Sequence, residues 1–435
     1  MSMDSQKSKK GTIAVSLTNY LDSGCIVAGA SGLTLWASEF GLSSFAVGLL
    51  GAISANAFGS AFGALVGGHL ADKFGRKFIY TYNMLIYMLG VAIIMFAMNF
   101  TMLLIGFLIT GLSVGAGVPA SWTYLSEMAE PKARARNIGI SQFAWSCGPA
   151  IIFTLGIIVS PLGLLGNRLL FLSLFVVAFI AWMMQRKLEE SKDWEAEQEK
   201  MKDPLVEVEH QFKDVFANFV NIKSILFLVG VYMFWNLVAG AMGFFMPYVY
   251  ETVGGLTNTQ ANLLQAVLWI LTAAATYYGF ARLGDRVSHR WLFFVGAAMA
   301  LASWVVLTYV GMSWLGLWTF VVLWGISAGI GAQAFYALWS TELFPTKYRG
   351  GVQGIMFFIV RGSAGFWSIF FPIILTNLGF VVAGTIMIAL LAASLIIGVI
   401  WTPNTRNRSL DDITAERYGE KEKVAGTKLK IKGSE

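Results

Sequence analysis

Two ionisable side chains stand alone inside long apolar stretches: Asp22, in NYLDSGCIVAG, and Arg361, in FFIVRGSAGFW. A charge in hydrocarbon costs on the order of several kcal/mol, so each is expected to face a cavity or a partner. A carboxyl in such a place can take up and release a proton. A guanidinium can hold a carboxylate or sulfonate through two parallel charge-assisted bonds. Around Arg361 the chain offers Phe357, Phe358, Ala364 and Gly365, none of which neutralises it. The competing reading is an ion pair between Asp22 and Arg361. The amides of Gln142, Asn236, Gln265 and Gln333 and the Tyr336 hydroxyl also fall in apolar stretches. An amide donates and accepts at once, which suits a hydroxyl-bearing ligand. Trp145 and Trp235 offer flat faces for the apolar side of a ring. The plainer role for each amide is a bond between helices. His69, His210 and His289 lie far apart, and no zinc-ligand spacing occurs. Cys25 and Cys147 are expected as packing residues. No His, Cys or Ser–Lys constellation for bond-making is visible. The chemistry on offer is binding and proton exchange, with no metal, no cofactor and no enzyme.

The elements that position these residues are membrane helices. Of 435 residues, 56% are hydrophobic and 13% charged, against about 25% charged in soluble domains. A membrane helix needs ~20 apolar residues. Twelve stretches qualify, near 14–36, 44–67, 78–98, 101–123, 137–160, 168–185, 223–249, 258–281, 291–311, 314–340, 350–376 and 378–402. Their continuous apolar runs exclude the alternation of a β-barrel. The opening MSMDSQKSKK carries no cleavable signal pattern. Basic residues crowd one set of loops, for example Lys73, Arg76 and Lys77, or Lys132, Arg134 and Arg136. Basic loops stay in the cytosol, so both termini are expected on the cytosolic side of a plasma (inner) membrane. The net charge of +6 follows from that bias and calls for no nucleic acid.

The chain divides at its middle. Residues 187–222 form a long polar interior stretch suited to amphipathic helices at the membrane surface. A six-helix bundle over 1–186 precedes it, a second over 223–402 follows, and a polar tail occupies 403–435. The halves echo each other. GGHLADKFGRK, with Asp72 and Arg76, recurs as RLGDRVSHR, with Asp285 and Arg286; the aspartates are 213 positions apart. Glu127 precedes Arg134 by seven, and Glu342 precedes Arg349 by seven, 215 positions later. Two motifs repeating in order at nearly one offset argue for duplication. The fold class expected is an all-α membrane protein of twelve helices in two six-helix pseudo-repeat bundles. Charges recurring at helix ends are expected to latch the bundles together: Asp72, Arg76, Glu127 and Arg134 in one half, Asp285, Arg286, Glu342 and Arg349 in the other.

These motifs resemble the major facilitator superfamily, and within it the sugar porters and related metabolite:proton symporters. GGHLADKFGRK resembles the superfamily's loop 2–3 signature. Tyr124, Glu127 and Arg134, then Glu342, Phe344, Pro345 and Arg349, match sugar porter spacing. EESKDW, with Glu190, Ser191 and Trp194, resembles the motif after helix 6. PNTRNRSLDDI, with Pro403, Thr405, Leu410 and Ile413, resembles the one after helix 12. The resemblance implies a proton-coupling acid at about Asp22, a sugar-binding amide at Gln142 and another near Asn236. Three positions depart from the pattern. Phe107 stands where the family has an Arg, Arg361 where it often has a Trp, and Ala337 where it has another Trp. They fall where the family's substrate lies, and suggest a ligand other than a plain hexose.

The expected function is secondary transport by alternating access: proton-coupled uptake of a sugar or a sugar-derived anion such as a uronate, aldonate or sulfonated sugar. Asp22 would couple the proton. Arg361, Gln142, Asn236, Trp145, Gln265, Gln333 and Tyr336 would hold the substrate. The alternative is a neutral sugar or polyol symporter or facilitator. A multidrug antiporter is a further alternative, although Ala150 and Ile151 follow Gly148–Pro149 where that group has a glycine pair. The expected partners are the small-molecule substrate, a proton and the bilayer, with the protein a monomer.

Overall fold

The computed structural model describes residues 3–127, 134–188, 190, 195, 216, 218–284, 286–344, 346–406, 408 and 410–418. For Asp72, Arg76, Tyr124, Glu127, Arg134 and Arg349 it describes the backbone alone. The fold is all-α, with no strand among the described residues. Among the described residues, eleven helical stretches are long and apolar enough to cross a membrane. The first helix, with 37 residues, is long enough for a twelfth. In chain order the spans are Met3–Glu39 (span 1), Ser44–Ile53 with Phe58–Phe74 (2), Arg76–Met95 (3), Phe100–Glu127 (4), Arg134–Val159 (5) and Leu164–Gln185 (6). The second half has Phe219–Thr252 (7), Asn258–Ala274 continued by Ala275–Phe280 and Ala281–Leu283 (8), His289–Tyr309 (9), Trp314–Ile330 with Ala332–Glu342 (10), Thr346–Leu378 (11) and Phe380–Trp401 (12). All twelve coincide with stretches expected from hydropathy.

Local chemistry sets several of the ends. Ser43 caps span 2, its side chain accepting from Ala46 N. Thr257 and Gln260 form a reciprocal capping box at the start of span 8. Gly75 joins spans 2 and 3 at φ 93°, a conformation that side-chain-bearing residues rarely adopt. Beside this turn Glu190 accepts from Lys77 N at 3.0 Å, placing a carboxylate at the N-terminus of span 3.

Small residues let the helices close on one another. Gly111 of span 4 lies against Gly59 of span 2, and Gly115 against Ser60. In span 10 Gly325 lies against Leu268 and Leu271 of span 8, and Gly329 against Thr272 and Thr276. Both glycine pairs are 214 positions apart. The duplication read from the loops is therefore also present in the packing, since each half uses equivalent glycines to seat its fourth helix on its second.

Three spans depart from regular α-helix along their length. Span 2 breaks at residues 54–57, span 8 passes through a π-helical turn at Ala275–Phe280, and span 10 breaks at Gly331. Backbone freed in this way is tolerated in a membrane where it is buried in protein or lines a cavity.

On the side away from the chain termini the halves touch through polar groups. Ser44 and Thr376 hydroxyls lie 3.0 Å apart, and those of Ser160 and Thr259 2.6 Å apart. Ser31 donates to Asn262 Oδ1 at 2.8 Å. Asn258 Nδ2 donates to Ser31 O at 2.9 Å and to Glu251 Oε1 at 3.0 Å. At the opposite ends the tail folds back on the second half. Arg406 donates to the Arg286 carbonyl, Arg408 pairs with Glu416, and Arg417 bonds Ser224. Thr405 and Ile413 of the tail motif are buried.

Candidate functional site between the halves

A cavity lies where the two bundles meet. Spans 1, 2 and 5 wall it on one side, and spans 7, 8, 10 and 11 on the other.

Arg361 of span 11 is 5% exposed and lines this cavity. Its Nη1 donates to the Asn56 backbone oxygen at 3.0 Å and to Asn56 Oδ1 at 3.1 Å. Asn56 sits in the break of span 2, so its carbonyl is free for an outside donor. The same amide's Nδ2 donates to Gly240 O of span 7 at 3.0 Å. The guanidinium also lies over the Phe357 ring at 5.1 Å. Its Nε is buried without a hydrogen-bond partner among the described residues.

Asp22 is 2% exposed and stands just behind the wall. Its Oδ2 accepts from Trp145 Nε1 at 2.9 Å, and Trp145 lines the cavity. Its Oδ1 has no hydrogen-bond partner among the described residues. Asp22 and Arg361 form no ion pair; each is held by a neutral group. Phe107, where the sugar porters carry an arginine, packs edge-on to Phe171 and Phe244 at 6.1 and 6.3 Å. The carboxyl therefore takes its hydrogen bond from an indole N–H and not from a guanidinium.

Gln142 Oε1 accepts from Gln333 Nε2 at 2.9 Å across the cavity, which joins the two halves through one amide pair. Asn236 lines the same space, and its buried Nδ2 has no partner among the described residues. Four indoles complete the wall. Trp145 and Trp269 meet at 5.4 Å and 64°. Trp235 and Trp324 lie 6.4 Å apart at 3°. The arrangement offers flat apolar faces with amide donors and acceptors between them, which fits a ring whose hydroxyls point outward.

Of the expected substrate residues the structure brings together Arg361, Gln142, Asn236, Trp145 and Gln333. It does not bring Gln265 or Tyr336 to the cavity. Gln265 is one turn from Trp269 toward the closed end and fully buried. Tyr336 is one turn from Gln333 the other way, with its ring stacked on Tyr232 at 4.1 Å. Asn56, Trp269 and Trp324 belong to the site and were not singled out from sequence. Asn56 carried a signal, as a lone amide in the apolar run ISANAFGS. Of the expected latch, Asp285 lies outside the described residues, and the side chains of Asp72, Arg76, Glu127, Arg134 and Arg349 do as well. Glu342 ends span 10, and Arg286 is exposed with its carbonyl held by the tail. The amphipathic helices expected within 187–222 fall largely outside the described residues.

Comparison with known proteins places this geometry. The family model described as Major Facilitator Superfamily matches residues 12–368. The chain is 45% identical over 430 residues to a Bacillus subtilis (strain 168) protein named minor myo-inositol transporter IolF, with 97% of each chain covered. It is 25% identical over 414 residues to the glucose transporter GlcP of Staphylococcus epidermidis, covering 84% of this chain and 87% of that one. Among solved structures, the proton:xylose symporter XylE bound to 6-bromo-6-deoxy-D-glucose superposes with a TM-score of 0.76 at 17% identity, covering 95% of this chain and 99% of that one. At that identity the likeness is one of fold.

Proposed function

We propose, for a chain that belongs to the Major Facilitator Superfamily, proton-coupled uptake of a neutral polyhydroxylated ring compound, a cyclitol or a sugar. The protein is a multi-pass membrane transporter of the sugar porter type and not an enzyme. The observation that carries the substrate reading is the cavity wall, which combines four indoles with the amides of Gln142, Gln333, Asn236 and Asn56. Ring faces lie on indoles, and hydroxyls need groups that both donate and accept. The naming of the 45% identical relative as a myo-inositol transporter supports the same class.

In this reading the bundles 1–186 and 223–402 rock about the cavity. Asp22 carries the proton, one hydrogen bond behind the substrate wall. The protein works as a monomer in the inner membrane with both termini in the cytosol. The charged groups at the loop ends bias one conformation without touching substrate.

A second reading, an acid derivative of the same ring, rests on Arg361. Its Nε has no partner among the described residues, and no carboxylate pairs with it there. Charge counting separates the two. With Asp22 protonated, a neutral ligand leaves the site at +1 and an anion leaves it neutral.

The test is uptake of labelled myo-inositol, glucose and glucuronate into proteoliposomes under an imposed pH gradient. Accumulation of a neutral ring that stops when the gradient is collapsed supports the reading. Accumulation that survives collapse of the gradient, or failure to take up any neutral ring, overturns it.

A further inference from the structure

The contact between Asn56 and Arg361 assigns a role to a residue that the family motifs do not mark. Both oxygens of Asn56 converge on one guanidinium nitrogen, at 3.0 and 3.1 Å. A carboxylate bonds a guanidinium edge with one oxygen on each of two nitrogens. Nε is buried, which leaves Nη1–Nη2 as the edge a ligand would use, and Asn56 already takes Nη1. We infer that Asn56 is a specificity-determining residue: it fills one of the two positions a carboxylate would need on Arg361, so that the site accepts a neutral polyhydroxylated ring and turns away the corresponding carboxylate. This inference rests on the neutral-ring reading given above.

Three features support a fixed part for Asn56. Its backbone is outside the helices, in the break at 54–57, and its N–H is bonded to Ser54 Oγ at 3.2 Å. Its Nδ2 is committed to Gly240 O of the opposite half. Gly240 leaves room for it, since a Cβ at that position would meet the Asn56 amide at 3.1 Å. The amide is therefore held from three directions, and an incoming carboxylate would have to displace it. Doing so would break the bonds to Arg361 and leave the amide N–H aimed at the Gly240 carbonyl without its counterpart oxygen contacts. A hydroxylated ring has no need to displace it, because Gln142, Gln333 and Asn236 supply the polar contacts elsewhere on the wall. A plain structural role, in which Asn56 only ties span 2 to spans 7 and 11, uses the same bonds but predicts no change in selectivity.

The experiment compares binding of myo-inositol and of glucuronate to the full-length protein in detergent, read by quenching of the cavity tryptophans. The proteins are wild type, Asn56→Ala, Gly240→Ala and Asn56→Ala combined with Arg361→Gln. The expected wild type binds inositol at least tenfold more tightly than glucuronate. Asn56→Ala narrows or reverses that ratio by tenfold or more, chiefly through tighter glucuronate. Gly240→Ala, which presses on the amide from span 7, moves the ratio the same way by a smaller factor and serves if Asn56→Ala fails to fold. Adding Arg361→Gln removes the gain. Asn56→Ala and Gly240→Ala weakening both ligands by one common factor would overturn the inference while leaving the neutral-ring reading in place. A wild type that prefers glucuronate, or binds neither compound, would overturn both.

Discussion

Trp145 Nε1 donates to Asp22 Oδ2 at 2.9 Å, while the ring of the same Trp145 meets Trp269 of the other half at 5.4 Å. The group proposed to carry the proton is thereby tied to a side chain that touches both the substrate space and the opposite bundle. Asp22→Asn is expected to abolish accumulation against a gradient while exchange of substrate across the membrane persists. Trp145→Phe keeps an aromatic face, though a smaller one, and removes the N–H. A hydrogen bond to a charged group contributes about 1.5–3 kcal/mol, so gradient-driven uptake is expected to fall roughly tenfold or more with binding largely kept. Paired uptake and counterflow assays measure both, and uphill accumulation by Asp22→Asn would remove Asp22 from the coupling step.

The amide pair across the cavity makes a graded prediction. Gln142→Leu or Gln333→Leu should weaken substrate binding by roughly three- to tenfold, the worth of about 0.5–1.5 kcal/mol per net hydrogen bond. The double variant should lose less than the product of the two, because each is the other's partner at 2.9 Å. Gln265→Leu and Tyr336→Phe, outside the lining, should change affinity less than about twofold. Titration of binding by tryptophan fluorescence decides the matter, and a large loss at Gln265 would redraw the site.

The closed face can be trapped. Ser44 and Thr376 come from opposite halves, with hydroxyls 3.0 Å apart. In the variant Ser44→Cys with Thr376→Cys, oxidation is expected to form a crosslink, arrest uptake, and be reversed by a thiol reductant. Gel mobility after proteolytic nicking between the halves reports the bond. Uptake that continues with the bond formed would contradict alternating access.

Stability should depend sharply on the glycines that seat the fourth helix of each half. A Cβ at Gly329 would meet the Thr272 carbonyl and the Thr276 nitrogen at 2.6 Å, whereas one at Gly354 meets nothing within 4 Å. Gly329→Ala should cost about 1–3 kcal/mol through overpacking and lower Tm in detergent. Gly354→Ala should leave Tm unchanged or raise it slightly. Equal Tm values would show that the span 8–span 10 seam is looser than its packing implies.

Much of the fold was legible because lipid imposes a simple rule: long apolar helices, with basic loops between them. Hydropathy located all twelve spans, and Asp72, Asp285, Glu127 and Glu342 exposed the duplication. Within the site, the residues legible from sequence were those whose chemistry is costly in hydrocarbon, such as Asp22, Arg361 and Gln142. Hydropathy is blind to the break at residues 54–57, because ISANAFGS is small and apolar enough to pass as helix. Asn56 went unrecognised for that reason, and the partner of Arg361 with it. Trp269 and Trp324 were hidden differently, since an aromatic in an apolar run gives no sign of whether it faces lipid, core or cavity. Gln265 shows the converse: an intramembrane amide one helical turn from the cavity looks the same in sequence as one within it.

The break in span 2 has no twin. The residue 213 positions after Asn56 is Trp269, in a stretch of span 8 that stays helical, and both line the cavity. Ser146 and Arg361, 215 positions apart, likewise occupy the same wall, as do Ser23 and its counterpart region around Asn236. A symmetric dimer of identical six-helix units would have to make every such change twice. An arginine gained on one side would then confront its own copy across the axis, and like charges at that range repel strongly in a medium of low dielectric. One continuous chain is free of that constraint: its first half carries Ser146 and a broken helix with an amide to offer, and its second carries Arg361, whose guanidinium donates to that amide.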